Sequence, residues 1–190
     1  KCDNCKKLIA VEGCEQYSYI SFSCVGCDNL ESLKGAPNII DGNFDCSYCK
    51  KLKDLKGSPS IVFGNFSCSN CNISTLEGSP KFVLDSFVCS SCNNLRDLIG
   101  SPIEVSSFCC NYCKGLITLF GITNKIIDVL SVVNCPNLRN ILGFPERIGT
   151  VIFKECPKVN DEYIRKDFKS DYKQYIGDAT NSKYLNTVNN

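Results

Sequence analysis

Sixteen of the 190 residues are cysteine, and their spacing sets the chemistry to be considered first. Six Cys-x-x-Cys pairs occur, at Cys2/Cys5, Cys24/Cys27, Cys46/Cys49, Cys68/Cys71, Cys89/Cys92 and Cys110/Cys113. Two such pairs can surround one zinc ion as a tetrahedron of thiolates. A dense set of cysteines can also form a disulfide framework or serve as small buried apolar residues. A cysteine nucleophile needs an activating base, and the chain has no histidine. No phosphate-cradling Gly-x-x-x-x-Gly-Lys-Ser/Thr or Gly-x-Gly-x-x-Gly pattern follows a strand pattern, and no carboxylate pair recurs at a catalytic spacing. The expectation is a non-enzyme with no cofactor and no metal.

What must position these cysteines is a repeat. Successive pairs lie 21 or 22 residues apart, and Gly13, Gly35, Gly57, Gly78, Gly100, Gly121 and Gly143 keep the same step. A period of this size is the signature of a solenoid, whose single turn cannot bury its apolar face but whose stack can. A clear copy begins at Phe44 and reads Phe-Asp-Cys-Ser-Tyr-Cys-Lys-Lys-Leu-Lys-Asp-Leu-Lys-Gly-Ser-Pro. Side chains alternate along a strand, so Phe44 and Cys46 share an inward face. Leu52 and Leu55 point inward from the descending segment, Gly57-Ser58-Pro59 turns the chain, and Ile61 and Val62 supply apolar residues on the back. Twenty-two residues leave little room for a back helix, so extended or 3₁₀ segments are expected there.

Two later turns carry altered copies: Leu130-x-Val132-x-x-Cys135 and Val151-x-Phe153-x-x-Cys156. The first cysteine of the pair has become Val or Phe while the second persists. The first position therefore behaves as an ordinary apolar site, and the second requires a thiol. This argues for structural thiols over zinc or disulfides, which would need both cysteines or a regular pairing of neighbours. The zinc-built interaction domain stays as an alternative. Buried free thiols imply the cytoplasm or another reducing compartment. Cys14 stands where other turns carry a Ser, and Cys109 falls at an outward strand position, where an exposed thiol is expected.

Phe-x-Cys-x-x-Cys-x-x-Leu resembles the leucine-rich-repeat core Leu-x-Leu-x-x-Asn/Cys-x-Leu over residues 1–159. The resemblance implies about eight turns of 21–22 residues with a short parallel β-sheet on one face. It further implies that Cys5, Cys27, Cys49, Cys71, Cys92, Cys113, Cys135 and Cys156 form a ladder donating to backbone carbonyls. The Cys-rich, Gly-Ser-Pro variety is similar to repeats in bacteriophage and large-virus proteins, which implies a host cytoplasm and a host protein partner.

Beyond the repeat, residues 160–177 carry an apolar stripe of helical period, Ile164, Phe168, Tyr172, Tyr175 and Ile176, and are expected to form a helix capping the stack. Residues 178–190 are polar and Asn-rich and are expected to be a flexible tail. The sequence starts in mid-turn without Met, as a fragment or processed chain would. Lys and Arg number 21 and Asp and Glu 20, a balance that offers no reason to expect nucleic acid or a membrane as partner. Outward strand positions are rich in Ser, Asn and Tyr, the composition of adaptable protein-recognition surfaces. Tyr48, Asn70, Tyr112 and Asn134 are the candidate partner-binding residues of a protein-interaction scaffold. A structural component of a larger assembly, such as a virion, is the alternative.

Overall fold

The computed structural model describes residues 1–159, apart from 15, 16, 19, 123–125, 144, 146 and 147, together with the backbone of 174–176. It is a parallel β-solenoid of about six turns, with no helix among the described residues. The spacing predicts eight turns. At the N-terminal end, residues 1–11 contribute only a bridge from Ala10 to Ser32 where the repeat predicts a strand.

Each early turn lays down two short strands where the repeat predicts one. β1 (Tyr17–Ser18), β3 (Ile39–Ile40) and β5 (Ile61–Val62) form one ladder, and β2 (Phe22–Ser23), β4 (Phe44–Asp45) and β6 (Phe66–Ser67) form the other. A corner at Gly64-Asn65 separates the two ladders in β5 and β6. In the next turn Leu84-Asp85-Ser86 replaces Phe63-Gly64-Asn65, the corner straightens, and both ladders join in one strand, β7 (Phe82–Val88). β8 (Glu104–Cys109), β9 (Ile126–Val133) and β10 (Thr150–Lys154) continue from it, with register shifts where β8 is one residue shorter between Val105 and Phe108.

The inward columns form a continuous core. Phe44, Phe66, Phe87 and Phe108 are fully buried, and with Phe22 they stack at ring-centroid separations of 5.2–5.3 Å. Leu130 and Val151 extend that column, both buried, in the turns where the sequence changes. Offset stacking of this kind adds about 0.5–1.5 kcal/mol per pair beyond area burial. At the second corner Gly57 adopts φ +88°, and a Cβ there would meet the Lys34 amide nitrogen at 2.5 Å. Conformation and close packing therefore both demand glycine, which explains why the glycine step is as regular as the cysteine step.

The expected capping helix and tail lie outside the described residues except at Gln174–Ile176. Those three residues form a strand, β11, pairing in parallel with β10 from Thr150↔Gln174 to Ile152↔Ile176. A β10 edge left open would present unpaired backbone groups, and a further strand satisfies them better than a helix would.

Candidate protein-binding face

The two cysteine columns hold different hydrogen bonds. Each ladder thiol reaches back one turn. Cys49 donates to the Cys24 carbonyl at 3.2 Å, Cys71 to Cys46 at 3.1 Å, Cys92 to Cys68 at 3.2 Å, and Cys113 to Cys89 at 3.3 Å. Cys27 and Cys135 repeat the contact at 3.0 and 3.3 Å, and Cys156 keeps it at 3.8 Å to Val132. Cys5 contacts the Asp3 carbonyl at 3.8 Å. The carbonyls of Cys2, Cys24, Cys46, Cys68, Cys89 and Cys110 receive no backbone amide among the described residues, so the thiol is their donor.

First-column thiols reach forward instead. Cys46 donates to the Ser67 carbonyl at 3.4 Å and Cys68 to Val88 at 3.6 Å. Those carbonyls already accept the amides of Cys46 and Cys68 at 2.9 Å. Losing a first-column thiol therefore orphans nothing, and Val132 and Phe153 can stand there. Twelve of the sixteen cysteines are buried and all are free. Burial pushes the Cys113 thiol up to about 12 and raises those of Cys68, Cys89 and Cys110 well above the ordinary range. Among the described residues, no three His, Cys, Asp or Glu side chains converge as a metal would need. Cys109, expected to be exposed, is half-buried, and burial raises its thiol too.

The four candidate partner residues fall in one row, at a backbone corner. Tyr48, Asn70, Tyr112 and Asn134 have φ of 64°, 58°, 59° and 54°, as do their row-mates Asn4, Gly26, Ser91 and Glu155 at 53–69°. Their amides donate to the next turn, Tyr48 to the Ser69 carbonyl at 2.8 Å and Tyr112 to Val133 at 2.7 Å. The left-handed region favours Gly and Asn and is unusual for a bulky residue. Tyr48 and Tyr112 occupy it with their rings about half exposed, at 51% and 52%. Lys50 extends beside Tyr48, its Nζ 5.7 Å from the ring centroid and donating to the Asn70 carbonyl at 2.8 Å.

Several of the neighbouring small polar side chains are engaged within the protein. Ser47 is buried and shares a 2.8 Å hydrogen bond with Ser67. Asn111 Oδ1 accepts from Val133 N at 2.8 Å and from the Ser131 hydroxyl at 3.0 Å, and Asp3 accepts from the Ser23 hydroxyl.

One column escaped the sequence reading. Ser32, Asp54, Thr75, Asp97, Thr118 and Asn140 each accept, at 3.0–3.3 Å, from the amide two residues on. The signal was present as Leu-x-Ser/Thr/Asp/Asn-Leu, since these residues cap turns in this way. Asn29, Asn72 and Asn137 form another, donating through Nδ2 to the preceding turn at 2.6–2.8 Å.

No family model, curated protein or solved structure matches this chain. The class defined by the fold and these contacts is a parallel β-solenoid of stacked 21–22-residue turns, rich in free, buried cysteine.

Proposed function

We propose that the chain is a non-catalytic protein-interaction scaffold that binds a protein partner through its strand face, at the row containing Tyr48, Asn70, Tyr112 and Asn134. The carrying observation is the conformation of the two tyrosines. Other turns fill this row with Gly26, Asn70 and Asn134, which suit its backbone, and with Ser91 and Glu155, so the position itself does not require a tyrosine. Strained residues with exposed side chains concentrate where a protein binds. Tyrosine contributes large, rigid contact area at low entropic cost.

The leucine-rich-repeat likeness belongs to this reading, as do an eight-turn stack and a covering helix over 160–177. The thiol ladder supports the likeness, since it serves backbone carbonyls where that repeat carries Asn or Cys. The absence of histidine and the raised thiols favour a non-catalytic role, and twelve buried free thiols favour a reducing compartment. A viral origin and a host partner follow only from the repeat variety.

The test is affinity capture with the wild-type chain and with Tyr48→Ala/Tyr112→Ala. A protein retained by the wild type and lost with the double variant, whose circular dichroism is unchanged, supports the scaffold. Equal recovery by both chains removes the strand face as the binding site.

A further inference from the structure

The near-zero net charge conceals a segregation of charge. Among the described residues, the descending segments from each second cysteine to the corner glycine carry ten Lys and Arg against six Asp and Glu. The back flank between that glycine and the next phenylalanine column carries, among the described residues, one Lys against four acidic residues. In the early turns the descending face neutralises itself in part: Lys51 pairs with Glu31 at 3.4 Å, and Lys56 with Asp54 and Glu77 at 3.6 and 3.4 Å. Arg96 and Arg139 are exposed, and no carboxylate lies within 4.0 Å of either among the described residues.

These two arginines border a groove of about 480 Å³. Its floor is Ile117, which occupies the turn between them, and Gly115, which stands where the adjacent turns carry Asn94 and Asn137. The Asn93 carbonyl forbids a side chain at Gly115, and the same absence opens a notch between the two asparagines. Alongside, in the same three turns, runs a ridge of Ile99, Phe120 and Leu142, exposed by 43%, 56% and 57%. Two guanidiniums without a carboxylate partner among the described residues, beside an exposed apolar ridge, form a mixed surface suited to a ligand that is both acidic and apolar.

We infer that this groove binds an acidic peptide segment carrying two carboxylates three residues apart, with bulky apolar residues between them. Arg96 and Arg139 stand two turns apart, roughly 9.6 Å at the ~4.8 Å strand spacing. A polyproline II segment returns to the same side every third residue, after about 9.3 Å. Each guanidinium then receives one carboxylate in a forked pair, and the intervening apolar side chains lie on Phe120 and its neighbours. A nucleic-acid backbone fits less well, because it gains nothing from the ridge and needs a longer cationic track. This surface is separate from the tyrosine row, so the two sites stand or fall independently.

The probe is a fluorescein-labelled nonapeptide of three Glu-Leu-Pro repeats, followed by anisotropy. Saturable binding is expected, weakened at least about ten-fold by Arg96→Ala/Arg139→Ala, weakened by salt, and unchanged by Tyr48→Ala/Tyr112→Ala. A Glu-Ser-Pro nonapeptide should bind more weakly. Absence of binding, equal binding by the arginine variant, or tighter binding of a twelve-nucleotide single strand each overturns the inference. All four substitutions are of exposed side chains, and circular dichroism verifies the fold.

Discussion

The Cys71 thiol lies 3.1 Å from the carbonyl oxygen of Cys46, a residue one turn earlier, and provides the hydrogen bond that this carbonyl takes from the protein. The Cys68 thiol, three residues before Cys71, meets a carbonyl that an amide already serves. Two cysteines of one motif therefore differ in what their loss exposes.

Cys71→Ala should destabilise the protein by about 2 kcal/mol or more, the sum of an orphaned buried carbonyl and a small cavity. Cys68→Val should cost less than about 1 kcal/mol, as a near-isosteric apolar replacement. Urea unfolding of the two variants gives the comparison. Equal losses would mean that the second column has no special hydrogen-bonding role.

The phenylalanine column should be sensitive to truncation and tolerant of an aliphatic exchange. Phe66 stacks on Phe44 and Phe87 at 5.2 Å on each side, so Phe66→Ala should cost about 3–5 kcal/mol. Phe66→Leu should cost much less, because the column already accepts Leu130. Thermal melts rank the two variants directly.

Stability should fall in alkali. Burial of Cys113 places its folded thiol at about 12 against an ordinary value of 9.0, and Cys46 sits at about 11. For Cys46 the hydrogen bond from Cys71 favours the thiolate, but burial and the thiols of Cys24 and Cys49 outweigh it. A raised thiol leaves the folded state holding a proton that the unfolded state has released. The contribution is intact below pH 9, where both states are protonated, and is lost as pH rises from 9 towards the folded values. Melting temperatures measured under reducing conditions from pH 7 to 11 should drop above pH 9. A flat profile would contradict the burial of these thiols.

Tyr112→Asn should raise stability by up to about 1 kcal/mol, since Asn suits φ of 59° better than Tyr does. The same substitution should weaken partner capture if the row is the binding site. Stability and binding moving in opposite directions is the signature of a residue retained for recognition. A loss of stability would show that the Tyr112 ring packs more than it strains.

Much of the fold was legible in the residues. Burial in a stack repeats at the length of a turn, so Phe44, Cys46, Leu52 and Leu55 announce themselves by recurring 21 or 22 residues on, and Val132 and Phe153 mark which cysteine is replaceable. That the second cysteines donate to backbone carbonyls is what the repeat resemblance implies; which carbonyls they reach was not legible, because each acceptor lies 24 or 25 residues away, with nothing local to identify it. The left-handed row was half visible in Gly26, Asn70 and Asn134, yet Tyr48 and Tyr112 concealed it, since their side chains read as strand residues. Whether the two strand ladders stay separate or join depended on whether Gly64-Asn65 or Asp85-Ser86 stood at the corner. Net charge is a sum over all faces, whereas a partner meets one face, so the lack of a carboxylate beside Arg96 and Arg139 among the described residues emerged only when the turns were stacked. Periodicity is a property of the chain and is written in it; hydrogen-bond partners, corner geometry and surface charge are relations between turns, and only stacking decides them.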